Sequence, residues 1–140
     1  MLRTCLILAA GVVLGAVGMA AAHDEGREGV AVLSERDVVE TLDGKPTRAT
    51  MVEVTLEAGH QGEAHRHPGP AFGYVLEGEY EWGVDDQPAR ILKAGETFYE
   101  PTGCLHRVSR NPSAKGKTRV IAVVLHPRDS GSIVVPEPKP

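Results

Sequence analysis

Two histidines one residue apart, His65 and His67, stand in the segment Gly59-His-Gln-Gly-Glu-Ala-His-Arg-His. On a β-strand successive side chains leave opposite faces, so these two share a face, with Cα atoms about 6.6 Å apart. Two imidazoles so placed can converge on one cation, and a third ligand must then come from a segment remote in sequence. His106, which ends Gly95-Glu-Thr-Phe-Tyr-Glu-Pro-Thr-Gly-Cys-Leu-His, is that third ligand. Imidazole nitrogen suits iron, zinc, manganese, nickel and copper, so the set calls for one divalent metal ion without naming it. Three neutral imidazoles leave such an ion net positive, with positions open to water, dioxygen or a bidentate substrate. That is the arrangement for Lewis-acid chemistry or for bringing dioxygen and substrate together.

Other groups could take part. Glu63 lies two residues before His65 and shares its face if the strand already runs there, as a carboxylate ligand or a general base. Otherwise it is a solvated loop residue after Gly62. Tyr74, Tyr80 and Glu100 are the remaining acid–base groups within plausible reach. Cys104 has no neighbouring cation in sequence to stabilise a thiolate and reads as a small buried filler. Arg66 points away from its two flanking histidines as a surface charge. His60 reads as solvated at a turn, and His126, before Pro127, as structural.

Short strands must position these residues. Val30–Leu33, Val38–Leu42, Thr50–Leu56, Ala64–His67, Phe72–Leu76, Glu79–Val84, Arg90–Leu92, Thr97–Tyr99, His106–Ser109 and Thr118–Leu125 all have strand character. Glu77-Gly78 reads as a hairpin turn, Asn111–Gly116 as an exposed loop, and the tail over 134–140 as frayed. Gly59, Gly78, Gly95 and Gly103 read as turn residues with unusual backbone angles. If His65 and His67 face the lumen and no bulge intervenes at Pro68-Gly69-Pro70, then Ala71, Gly73 and Val75 face in. Phe72, Tyr74 and Leu76 then face out, as an apolar stripe that calls for a cover. A second copy of the chain supplies one, making a homodimer; the N-terminal strands from Val30 to Leu42 are the alternative. Glu79 and Glu81 belong in solvent, which turns Tyr80, Trp82 and Val84 inward. Tyr80, Trp82 and Val75 are therefore the substrate-binding candidates, in a lumen suited to a small organic ligand.

These two segments resemble the motifs of the cupin superfamily. The first motif, G-x5-H-x-H-x(3,4)-E-x6-G, is matched by Gly59, His65, His67 and Gly78, and the second, G-x5-P-x-G-x2-H-x3-N, by Gly95, Pro101, Gly103 and His106. Two positions depart: Ala71 stands where the first motif has its glutamate ligand, and Arg110 where the second has asparagine, with Asn111 one place later. The resemblance implies an all-β, single-domain jelly-roll β-barrel, commonly dimeric, with a divalent metal held by three histidines in place of three histidines and a glutamate. Among cupins, three-histidine iron sites belong to certain dioxygenases, so Fe2+ is the favoured ion and oxidative cleavage the favoured reaction, with Tyr80 and Glu63 as catalytic candidates. A non-catalytic metal- or ligand-binding cupin is the second reading, and a metal-free structural cupin the third.

Composition agrees with one small β-domain: 140 residues, 16 glycines and 10 prolines favour many tight turns. A formal charge of −4, without a basic cluster, gives nucleic acid no footing. Residues 1–22 have the pattern of an export signal. Arg3 precedes the apolar run Cys5–Val17, and Ala20-Ala21-Ala22 offers a cleavage site. The expectation is a periplasmic or secreted protein over 23–140, with its barrel over about 30–126 and no membrane anchor after cleavage. Cys104 would be the one cysteine left, so no internal disulfide would form.

Overall fold

The structure, a computed structural model, describes residues 28–138; the expected export signal lies outside them. Ten strands follow in order: β1 (Glu28–Leu42), β2 (Lys45–Leu56), β3 (His65–Arg66), β4 (Ala71–Glu77), β5 (Glu79–Val84), β6 (Arg90–Lys93), β7 (Thr97–Glu100), β8 (His106–Arg110), β9 (Thr118–Pro127) and β10 (Val135–Pro136). They form two five-stranded antiparallel sheets, β1-β2-β9-β4-β7 and β10-β3-β8-β5-β6. This is the all-β jelly-roll that the sequence implies.

Alternation aims the side chains as expected. Ala71, Gly73 and Val75 are buried while Phe72, Tyr74 and Leu76 are exposed. Tyr80, Trp82 and Val84 are buried across from them. Together with Leu56, Leu92, Cys104 and Val120, the residues Val75, Tyr80, Trp82 and Val84 make the hydrophobic core between the sheets. Each large apolar side chain fully buried there contributes about 1.5–3 kcal/mol.

Four features differ from the sequence expectation. Val30–Leu33 and Val38–Leu42 are one long strand, bent by register shifts at Val32/Ser34 and Asp37/Thr41. It forms a hairpin with β2 over Asp43-Gly44, both at positive φ (50° and 73°), the geometry a two-residue turn of type I′ requires.

Glu77-Gly78 is not a hairpin. β4 pairs with β7 and β9, whereas β5 pairs with β6 and β8, so at Gly78 the chain crosses from one sheet to the other. Gly78 turns that corner at φ 78°, and a Cβ there would meet the Lys117 carbonyl oxygen at 2.6 Å.

The loop after β8 is exposed over residues 114–116 as expected, but it begins at a buried residue: the Asn111 side chain donates to the carbonyls of Leu56, Glu57 and Gly116, each at 3.1 Å. The tail is not frayed as far as Glu137. Val135 and Pro136 pair with Arg66 and His65, the Glu137 N–H donates to the Ala64 carbonyl at 3.0 Å, and Arg66 grips the Glu137 carboxylate at 2.9 and 3.1 Å. Without the tail β3 would be an edge strand with unpaired backbone groups, and the tail, as β10, satisfies them.

Gly78→Ala should lower stability by about 1–3 kcal/mol, since a left-handed angle and a backbone collision coincide. Chemical denaturation measures it; an unchanged midpoint would contradict this account of the corner.

Candidate metal centre

His65 and His106 are register partners across β3 and β8, and His67 stands one residue beyond the end of β3. The His65 ring centroid lies 4.9 Å from that of His67 and 4.9 Å from that of His106. One nitrogen from each of the three falls within 4.8 Å of the others, a group that could hold a metal ion. The structure thus brings together the three histidines singled out in sequence.

Backbone carbonyls fix two of the rings. His65 Nδ1 donates to the Glu63 carbonyl at 2.8 Å, and His67 Nδ1 to the Ile133 carbonyl at 2.6 Å. Each ring therefore carries its proton on Nδ1 and keeps the Nε2 lone pair for the site, the outer support typical of ligating histidines. His106 is oriented by Tyr80, whose hydroxyl lies 3.4 Å from Nε2 and 2.9 Å from Ser109 Oγ.

A group that the sequence offered only as one acid–base possibility sits at the centre of the cluster. Glu100, the last residue of β7, is 1% exposed. Oε1 accepts from Trp82 Nε1–H at 2.9 Å and lies 3.2 Å from His106 Nδ1; Oε2 lies 3.3 Å from His67 Nε2. Among the described residues neither Glu100 Oε2 nor His106 Nδ1 has a hydrogen-bond partner, although both are buried. A buried polar atom without a partner is costly. A cation among the imidazoles would satisfy both atoms, so the residues present fit a divalent metal.

Electrostatics sort the roles. Burial resists charge on His67, but Glu100 and the Ile133 carbonyl outweigh it and raise the His67 pKa. Burial also resists charge on Glu100, yet the imidazoles of His67 and His106 and the Trp82 N–H hold its carboxyl below the usual range. The His106 pKa is pushed down to about 4, first by burial, with Glu100 opposing and the other two histidines adding. His106 is thus neutral near pH 7, as a ligand must be. Burial raises the Tyr80 phenol well above its usual range, so it keeps its proton and acts as a hydrogen-bonding group rather than a base. Burial, then the charges of Glu100 and Asp85, pushes the Cys104 thiol up to about 11, in keeping with an inert filler.

The cluster opens into a cavity of about 290 Å³, walled by Val52, Val54, Ala71, Phe98, Val120 and Val124, with Ile133, Val134 and Pro136 of the C-terminal segment at one side. Tyr80 and Glu63 are among the residues that line it. Val75 and Trp82, expected there too, pack in the hydrophobic core instead, and Trp82 touches the site only through its bond to Glu100. Glu63 is exposed, and it is the backbone carbonyl that holds His65. His126 is structural, its Nε2 2.8 Å from Thr50 Oγ1.

One signal for Glu100 was present in the sequence. Phe98 and Glu100 share a strand face, so an inward Phe98 turns Glu100 inward, but Thr97-Phe-Tyr-Glu100 does not say which aromatic faces in.

A cupin-domain family model matches residues 52–124. No sequence among curated proteins matches the chain. Among solved structures, a double-stranded β-helix protein from Klebsiella pneumoniae is similar at 20% identity and TM-score 0.62, covering 82% of this chain and 88% of that one. An oxalate oxidase in complex with the substrate analogue glycolate is similar at 23% identity and TM-score 0.58, and the DMSP lyase DddQ from Ruegeria pomeroyi at 21% and 0.58. The alignments cover 81% and 86% of this chain but only 56% and 58% of those enzymes. At such identities these likenesses concern the fold. Kinship rests on the family model, which spans more than half of the chain, and by that measure the protein belongs to the cupin family.

Proposed function

We propose that this cupin holds one divalent metal through His65, His67 and His106 and acts on a small organic molecule in the adjoining cavity, with oxidative cleavage as its reaction and Fe2+ as its ion. The observation that carries the reading is the pair of buried, unpartnered atoms, Glu100 Oε2 and His106 Nδ1, among converging imidazoles. A metal bound there supplies a Lewis-acid or oxygen-activating centre. The chain's own residues do the rest. The apolar walls exclude water and favour the carbon skeleton of a ligand. The Tyr80 hydroxyl holds its proton where it can orient His106 or a polar ligand atom. Glu63, at the cavity wall, is the candidate for exchanging protons with a bound ligand.

A second reading, metal or ligand binding without turnover, draws on one observation. Tyr80 keeps its proton and Glu100 is enclosed by Trp82 and two imidazoles, so the buried acid–base groups are already committed. Metal analysis followed by oxygen uptake separates the two readings. Iron at one per chain with substrate-dependent oxygen consumption supports the dioxygenase, and tight metal without turnover the binder. His106→Ala should lose most of the bound metal; metal content at the parent level would refute the ligand assignment.

The outer face of the β4 sheet supports a homodimer. Phe72, Tyr74 and Leu76 are 51%, 44% and 37% exposed. Phe72 neighbours Tyr99 on one side and Val123 on the other, and Val123 neighbours Met51, which extends an apolar row across four strands. β1 does not cover it, since β2 and β9 separate β1 from β4. Burying each large side chain is worth roughly 1.5–3 kcal/mol before the cost of association. Tyr74→Glu with Leu76→Lys should give a soluble monomer; a parent chain that already sediments as a monomer at micromolar concentration would rule the dimer out.

A further inference from the structure

We propose that Glu100 is the carboxylate ligand of this metal centre, supplying from β7 the donor that Ala71 on β4 lacks. The inference rests on the metal-binding reading above. Ala71 and Glu100 are register partners in the antiparallel pair β4–β7. Such partners project to the same face with Cβ atoms about 4.5–5.5 Å apart. Both are 1% exposed and line the same cavity. A carboxylate at position 100 therefore reaches nearly the same volume as one at position 71, from the neighbouring strand. The methyl group of Ala71 leaves it room.

The contacts distinguish a ligand from a carboxylate that merely fills space. Trp82 Nε1–H fixes Oε1 at 2.9 Å, which sets the plane of the carboxylate and turns Oε2 toward the histidines. Oε2 then lies 3.3 Å from His67 Nε2 and has no hydrogen-bond partner among the described residues. Oε1 stands 3.2 Å from His106 Nδ1, which has no hydrogen bond either. Two acceptors and two imidazole nitrogens thus face one another, without hydrogen-bond geometry, at separations suited to shared coordination. His65 and His67 spend their Nδ1 protons on backbone carbonyls, so neither offers that proton to Glu100. A divalent ion would satisfy the two that lack a hydrogen bond, Glu100 Oε2 and His106 Nδ1. With Glu100 as an anionic ligand, the site carries one less positive charge than three imidazoles alone would leave. That shift favours harder ions that prefer mixed nitrogen and oxygen donors.

The test uses the full chain loaded with Co2+, whose visible absorption reports its inner ligands. Wild type, Glu100→Gln and Glu100→Ala are compared for dissociation constant by equilibrium dialysis and for the Co2+ bands. Circular dichroism verifies the fold, and the Gln variant retains an acceptor for Trp82. A ligand role predicts an affinity loss of more than roughly 100-fold in both variants, beyond the 10–100-fold typical of outer-shell partners. It also predicts displaced Co2+ bands. A smaller loss with the bands at their wild-type positions means that Glu100 only orients the imidazoles, and overturns the inference while leaving the three-histidine site intact. Wild type that binds no Co2+ removes both.

Discussion

Strand β3 is two residues long, too short to fix its own position, yet it carries His65 and leads into His67. Its place comes from its neighbours. On one side His65 pairs with His106 of β8, and on the other Val135 and Pro136 pair with Arg66 and His65 while Glu137 accepts from the Arg66 guanidinium. The Gly103 N–H donates to the His67 carbonyl at 3.1 Å, and Arg66 Nη1 donates to the Gly103 carbonyl at 2.8 Å, which ties the turn before β8 to the same strand. The i, i+2 spacing alone would give two imidazoles on one face. This pairing brings in the third, and without it the cluster has no geometry.

The opposite sheet supplies what the histidines lack. Three imidazoles come from one sheet and its margin, and a carboxylate crosses the lumen from the end of β7 in the other. The value of that carboxylate depends on burial. Surface pairs such as Arg48–Asp37 or Arg119–Glu53 are screened by solvent and contribute little. Glu100, screened from water, interacts far more strongly with whatever stands beside it. It also makes the barrel more than a scaffold, since the distance between the two sheets sets the distance from Glu100 to the imidazoles.

Much of this was legible in the sequence because alternation is a strong constraint. Inward Ala71, Gly73 and Val75 and outward Phe72, Tyr74 and Leu76 follow from parity once the histidines face the lumen, and inward Tyr80, Trp82 and Val84 once Glu79 and Glu81 face solvent. Four of the six positive-φ glycines, at 59, 78, 95 and 103, were equally plain. Sheet membership was not. Glu77-Gly78 has the composition of a hairpin turn, and nothing local tells a turn within one sheet from a corner between two. The Asp43-Gly44 hairpin carried a clear signal that the strand boundaries around it obscured. Val75 and Trp82 were aimed correctly, yet depth along the barrel, which parity does not encode, put them in the core rather than the cavity. The tail read as frayed because its partner, β3, lies some 70 residues earlier, as the Arg66–Glu137 separation of 71 shows. Glu100 was underrated for a similar reason: its role appears only when β7 is set beside β4 and opposite β8.

Everything said of the function turns on whether one metal ion sits among these side chains. Crystals of the full chain, grown with a single transition metal and measured on either side of its absorption edge, decide that directly. The account predicts one anomalous peak per chain, bonded to a nitrogen of each of His65, His67 and His106, with Glu100 facing it. Metal found only elsewhere on the surface, with the three imidazoles hydrogen-bonded to water or to one another, would contradict it.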